Sequence, residues 1–168
     1  MTFRSLVWRS AEASDAPAVV AAITDWWPGV HMVHAVCPQL FEHFGDTCII
    51  VEEDGRLVGF LVGFMSQRMA DAGYVHYAGV HPDHRGMGLG REMYARFAQV
   101  TREHGRPVVF AETGAWNTKS IAFHERLGFV LQPGDEIVDG IPVHRDTTGH
   151  GFDYVEMLWR LVDGEAVA

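Results

Sequence analysis

Cysteine is nearly absent. Cys37 and Cys48 are the only two in 168 residues. Two isolated thiols make no disulfide framework, so a reduced, cytoplasmic setting is expected. Long apolar runs are missing as well. The longest, Leu57 to Met65, falls far short of the roughly 20 residues that cross a bilayer. The N-terminal segment carries Arg4, Arg9, Glu12 and Asp15 with no apolar stretch of signal-peptide length between them. Basic residues are scarce: 13 Lys and Arg stand against 22 Asp and Glu, a formal charge of -9. Such a chain repels nucleic acid and anionic membrane, so neither is an expected partner. Small molecules, cationic substrates and protein partners stay open. Repeats, low-complexity tracts and linkers are also absent.

What is present is ordinary globular composition, 48% hydrophobic and 21% charged, which excludes disorder and fibrous repeats. Residues 1–168 are expected to form one domain, large enough to bury about two-thirds of its unfolded surface without a disulfide or metal staple. Leu6 to Trp8 predicts a first strand. Ser14 or Asp15 is placed to cap a helix with Pro17 in its first turn and Val19, Ala22, Ile23 and Trp26 on one face. A second helix is predicted from about Val36 to Phe44, stopped by Gly45. Cys48 to Val51, then Asp54-Gly55, then Leu57 to Phe64 is a hairpin signal, because Asp-Gly supplies the positive φ angles of a tight turn. Tyr74 to Val80 is a further strand.

A long helix is predicted to end before Gly105, with Leu89, Met93, Phe97 and Val100 as its apolar stripe and Glu92 four residues before Arg96. Val108 to Thr113 reads as a buried strand. Asn117 caps a helix that Arg126 and Gly128 close. Phe129 to Leu131 and Tyr154 to Leu161 complete the strands. The predicted fold class is α/β (α+β): a mixed, mostly antiparallel central sheet flanked by helices on both faces.

Residues Val80 to Arg91 read V-H-P-D-H-R-G-M-G-L-G-R. A strand enters a turn containing Gly86, Gly88 and Gly90, and a helix leaves it. Glycines let backbone approach an anion without Cβ collision, and the N–H groups and dipole of a helix start favour a pyrophosphate. Arg85 and Arg91 add charged donors. A tight connection with no ligand is the plain alternative. A Walker loop requires Gly-Lys-Ser/Thr, and no Lys stands here. A dinucleotide fingerprint requires G-x-G-x-x-G, and the spacing here is G-x-G-x-G.

R-G-M-G-L-G resembles the R/Q-x-x-G-x-G/A signature of the GNAT superfamily of acyl-CoA-dependent N-acyltransferases. The preceding V-H-P-D-H looks like that family too. So does N-T-K-S-I-A-F-H-E-R-L-G-F from Asn117 to Phe129, where the family has N-x-x-A-x-x-x-Y-x-x-x-G-F or close to it. The two motifs stand in the family's order, and the resemblance covers nearly the whole chain. It implies acetyl-CoA as co-substrate, with no metal. It also implies that the backbone of Ala78, Gly79 and Val80 pairs with the pantetheine arm. The turn Gly86, Met87, Gly88, Leu89, Gly90 and Arg91, with Arg85, would hold the pyrophosphate. Asn117 would contact the arm, and Ser120 and His124 share its helical face. Helix capping is the alternative role for Asn117 and Ser120.

The chemistry sets its own demands. An amine must lose a proton to attack a thioester, the oxyanion needs a fixed donor, and the departing thiolate needs a proton. Glu112 is the candidate base, at a position where some family members carry their catalytic Glu; a solvated carboxylate is the alternative. The N–H of Val80 is the candidate oxyanion donor. His124 stands where the family has Tyr, so either His124 replaces the phenol as acid, or solvent supplies the proton, or the chain only binds acyl-CoA.

Two segments are candidate walls of an acceptor pocket. One runs from Trp26 to His43 and includes His31, His34 and Cys37, whose spacing lacks the second pair of a zinc site. The other, Gln132 to Gly151, is long for a connection and contains Asp139-Gly140, a small-hairpin signal, with His144, Arg145, Asp146 and His150. Arg145 is placed to meet an acceptor carboxylate, Asp146 or Asp153.

The expected activity is acetyl transfer from acetyl-CoA to a primary amine of a small molecule or a protein N-terminus, by direct attack. The rival expectations are a non-catalytic acyl-CoA-binding sensor and an acyltransferase that uses a longer acyl-CoA. Edge strands near the C-terminus leave a homodimer open.

Overall fold

Asp54 and Gly55 both adopt positive φ, 51 and 73°. This is the tight-turn geometry expected of Asp-Gly, and it joins β2 (Ile49–Glu53) to β3 (Arg56–Met65). The computed structural model describes residues 6–27, 36–146, 149 and 151–161. It falls into two compact units, Met1–Met65 with His76–Val100, and Ser66–Val75 with Thr101–Ala168.

In unit one, β1 (Leu6–Ser10) pairs antiparallel with β2, and β2 with β3, with a bulge between Val51 and Glu52. The fourth strand, β4 (Ala72–Val80), of which His76–Val80 belong to this unit, lies next to β3, and the His81 N–H donates to the Val58 carbonyl just past its end. Helix α1 (Ala16–Trp26) buries Ala16, Val19, Ala22, Ile23 and Trp26, the predicted face. Asp15 occupies the N-cap position without bonding the helix. Its carboxylate takes two 2.7 Å bonds from Arg9 and one from the Glu12 N–H, because a charged partner outcompetes a neutral amide. Helix α2 (Pro38–Phe44) starts at its proline rather than at Val36.

Val19, Ile23, Phe41, Ile50, Phe60 and Val62 form the core of this unit. Burying each large side chain stabilises it by roughly 1.5–3 kcal/mol. Helix α3 (Leu89–Glu103) buries Leu89, Met93 and Phe97 as predicted. Tyr94 and Ala98 complete the stripe, and Val100 is only partly covered. Leu89 and Met93 rest on Gly59, where a Cβ would come within 3.2 Å of Leu89 Cδ2.

In unit two, Ala72–Val75 of β4 pair in parallel with Val108–Ala111 of β5 (Val108–Gly114). All of β5 runs antiparallel to β9 (Tyr154–Arg160), and β9 to β6 (Val130–Leu131). Seven strands are thus paired in a mixed, mostly antiparallel pattern, as expected. A separate hairpin, β7 (Glu136–Val138) and β8 (Ile141–Val143), turns at Asp139-Gly140, again with positive φ at both residues. Helix α4 (Thr118–Leu127) is capped by Asn117. It ends at Gly128, whose φ of 100° and N–H bond to the Glu125 carbonyl close the last turn.

Candidate active site

The signature turn belongs to unit one. A short 3-10 turn, Pro82–His84, follows β4, and the Asp83 N–H donates to His81 Nδ1 at 3.2 Å. Gly86 and Gly88 then take φ of 76 and 86°, a region that L side chains rarely adopt. Nothing lies within 4 Å of where a Cβ would stand at either residue. Met87 between them is 72% exposed. Helix α3 opens with the Glu92 N–H bonded to the Gly88 carbonyl, so the turn feeds straight into a helix start. Bare backbone, open space and a helix dipole are the features that favour an anion at a helix start.

Arg85 behaves differently from the glycines it precedes. Its Nε donates to the Val80 carbonyl at 3.1 Å and its Nη2 to the Trp26 carbonyl at 3.2 Å. Its guanidinium carbon lies 5.9 Å from the centre of the Trp27 ring. It ties the end of α1, where carbonyls lack helical partners, to the end of β4. Beside it, Trp27 meets Phe60 and Tyr77 edge to face, and Trp27 and Phe60 close over Gly79. Sequence reasoning missed this contact. The signal was a glycine inside a strand, which marks close approach by another group.

Unit two carries the second motif. Asn117 Oδ1 accepts from the Ser120 N–H at 3.2 Å, the capping role. One turn on, His124 Nδ1 lies 2.8 Å from the Ser120 carbonyl and 3.3 Å from Ser120 Oγ. Asn117, Ser120 and His124 are therefore brought together as expected. A carbonyl only accepts, so the ring proton sits on Nδ1, and Nε2 of the neutral ring is an acceptor. His124 is 6% exposed and meets Phe129 edge-on at 5.0 Å. Burial lowers its pKa below 6.5, against a smaller opposing effect of the Ser120 carbonyl.

Glu112 lies within β5, and its side chain is exposed. It accepts from the Tyr74 hydroxyl at 3.3 Å and stands directly opposite Glu156 on β9. Tyr74, also missed from sequence, is held as a phenol by burial first and by the Glu112 charge second, both of which raise its pKa.

The remaining candidates scatter. Arg145 pairs with Asp153 at 2.5 Å and with Glu136, while the Asp146 carboxylate accepts from the Gly149 and Gly151 amides. His144 stacks on Tyr154. His31, His34 and His150 lie outside the described residues. Cys37 is exposed; Cys48 is buried, which pushes its thiol up to about 11. Among the described residues no group of three or more His, Cys, Asp or Glu is placed to hold a metal, and no helix is long and apolar enough to cross a membrane.

Residues 3–129 match the model of the acetyltransferase (GNAT) family, and the chain belongs to that family. It is 34% identical over 90 residues to the L-amino acid N-acyltransferase MnaT of Escherichia coli (strain K12), covering 52% of each chain. The chain spans about half the length of the first curated relatives it matches. In fold it is similar to Ard1 from Thermoplasma volcanium (TM-score 0.75, 19% identity, 94% of this chain and 99% of that one). It is also similar to the diaminobutyrate acetyltransferase EctA from Paenibacillus lautus, solved with L-2,4-diaminobutyric acid and coenzyme A (TM-score 0.68, 22% identity, 96% and 99%).

Proposed function

We propose that this chain transfers an acetyl group from acetyl-CoA to the primary amine of a small molecule, in the cytoplasm and without a covalent enzyme intermediate. The observation that carries the reading is the Gly86–Gly88 turn, which is open where any Cβ would stand and leads directly into α3. The amides from Gly86 to Arg91 hold the diphosphate, and the backbone of Ala78, Gly79 and Val80 holds the pantetheine arm. The contribution of Arg85 is indirect, through the two carbonyls it grips. Asn117 and Ser120 also contact the arm. Residues 1–168 act as one acetyltransferase domain, a reading supported by a family match that runs through both units.

In the chemistry, Glu112 takes a proton from the acceptor ammonium, the neutral amine then attacks the thioester carbonyl, and the Val80 N–H stabilises the oxyanion. His124 donates to the leaving thiolate only as imidazolium, since its neutral form keeps the proton on Nδ1. Above its lowered pKa the thiolate draws a proton from solvent. An amino-acid-like acceptor is favoured, because the relatives named above act on L-amino acids and on diaminobutyric acid.

The test is calorimetry with coenzyme A and acetyl-CoA, followed by thiol release against a panel of L-amino acids and diamines. Uptake of the cofactor and release with one or more amines is expected. Uptake without release from any amine overturns catalysis and leaves a sensor, the reading that His at position 124 favours. Absence of uptake overturns both.

A further inference from the structure

Trp27 stands directly against the main chain of Gly79. A Cβ built on Gly79 would lie 2.5 Å from Trp27 Cη2 and 2.7 Å from Phe60 Cε1. The strand is bare at this residue because the indole occupies the side-chain position. The indole is also fixed from several directions. Phe60 lies at 6.4 Å and Tyr77 at 6.2 Å, both edge to face, and Trp26 lies at 6.1 Å. Arg85 sits 5.9 Å over the ring with its own position locked by the Val80 and Trp26 carbonyls. A ring packed against this many described neighbours resists displacement, because packed groups forgive added volume poorly.

Resting on the acyl-CoA reading above, we propose that Trp27 sets the upper limit of acyl chain length. In that reading the thioester arm runs along Ala78 to Val80, so the indole edge borders the strand where the acyl group begins. A two-carbon acetyl group passes beside it. A longer chain must displace that ring. The donors are therefore short acyl thioesters.

Calorimetry of coenzyme A, acetyl-CoA and hexanoyl-CoA decides the matter without any acceptor. The wild-type chain should bind hexanoyl-CoA at least about tenfold more weakly than acetyl-CoA, the discrimination a few misplaced methylenes produce. Trp27→Ala should bring the two within about threefold of each other, the ratio being the readout whatever happens to the affinity for unacylated coenzyme A. Trp27→Leu keeps an apolar group on the core and should do the same in smaller degree, so a poorly folded alanine variant does not end the test. No discrimination in the wild type, or the same discrimination in both variants, overturns the proposal. If the wild type takes up no coenzyme A at all, the acyl-CoA reading itself fails, which is a separate result.

Discussion

The imidazole of His124 donates its Nδ1–H to the Ser120 carbonyl 2.8 Å away, from a site that is 6% exposed. The folded ring thus resists a second proton, and burial holds its pKa below 6.5. The unfolded chain, with an ordinary imidazole, takes that proton as pH falls through about 6.5. Unfolding then binds more protons than folding, so stability drops with pH in the window just below 6.5 and is indifferent to this group above it. His124→Phe should flatten that dependence, even if it lowers stability at every pH by losing the Ser120 bond. Urea midpoints at about pH 7.5 and about pH 5.5 check it; equal slopes for both proteins would refute the buried neutral ring.

Gly88 separates the needs of the fold from those of the ligand. Its φ of 86° makes any Cβ costly by about 1–2 kcal/mol, yet no neighbour stands within 4 Å to clash with one. Gly105, at φ 70° and equally open, provides the matched control. Gly88→Ala and Gly105→Ala should lose similar stability in urea titrations. Only Gly88→Ala should weaken coenzyme A binding, by about tenfold or more, which is about 1.4 kcal/mol.

Arg106 organises the connection that leads into β4. Its Nη1 donates to the carbonyls of Ser66 at 2.6 Å, Ala72 at 2.8 Å and Met69 at 3.3 Å. Three carbonyls converge on one charged donor, and those of Ala72 and Met69 also accept backbone N–H groups, so Arg106 reinforces a turn already bonded to itself. Arg106→Ala is expected to cost about 2 kcal/mol, and Arg106→Lys clearly less, because an ammonium can still reach part of the cluster. Thermal melts of the two variants give the comparison, and an unchanged melting temperature in the alanine variant would disprove the role.

The sequence made the turns and helix ends legible because their chemistry is local. Asp54-Gly55, Asp139-Gly140, Asn117 and Gly128 each need one backbone geometry or one cap, and each sits where it was expected. The signature turn was legible for the same reason. What escaped was tertiary. Ala72 and Gly73 carry no strand propensity, and their parallel pairing with Val108 and Val109 makes them part of β4. Asp15 looked like a helix cap until Arg9 claimed its carboxylate. Trp27 on Gly79, Arg106 on three carbonyls and Tyr74 on Glu112 join residues far apart in the chain, and no periodicity announces such contacts.

Glu112 offers a direct division between catalysis and structure. Its carboxylate accepts the Tyr74 hydroxyl at 3.3 Å and faces solvent on β5. Glu112→Gln keeps the side chain's shape and a carbonyl oxygen for Tyr74, and removes only the ability to take a proton. If Glu112 is the base, kcat near neutral pH should fall by about a hundredfold or more while coenzyme A affinity holds. Raising the pH should restore part of that loss, since a growing share of the acceptor amine arrives already neutral. Tyr74→Phe, which deletes the hydrogen bond and leaves the carboxylate, should cost kcat far less. Should Glu112→Gln and Tyr74→Phe lower kcat equally, the carboxylate serves to anchor the phenol, and the proton leaves by another route.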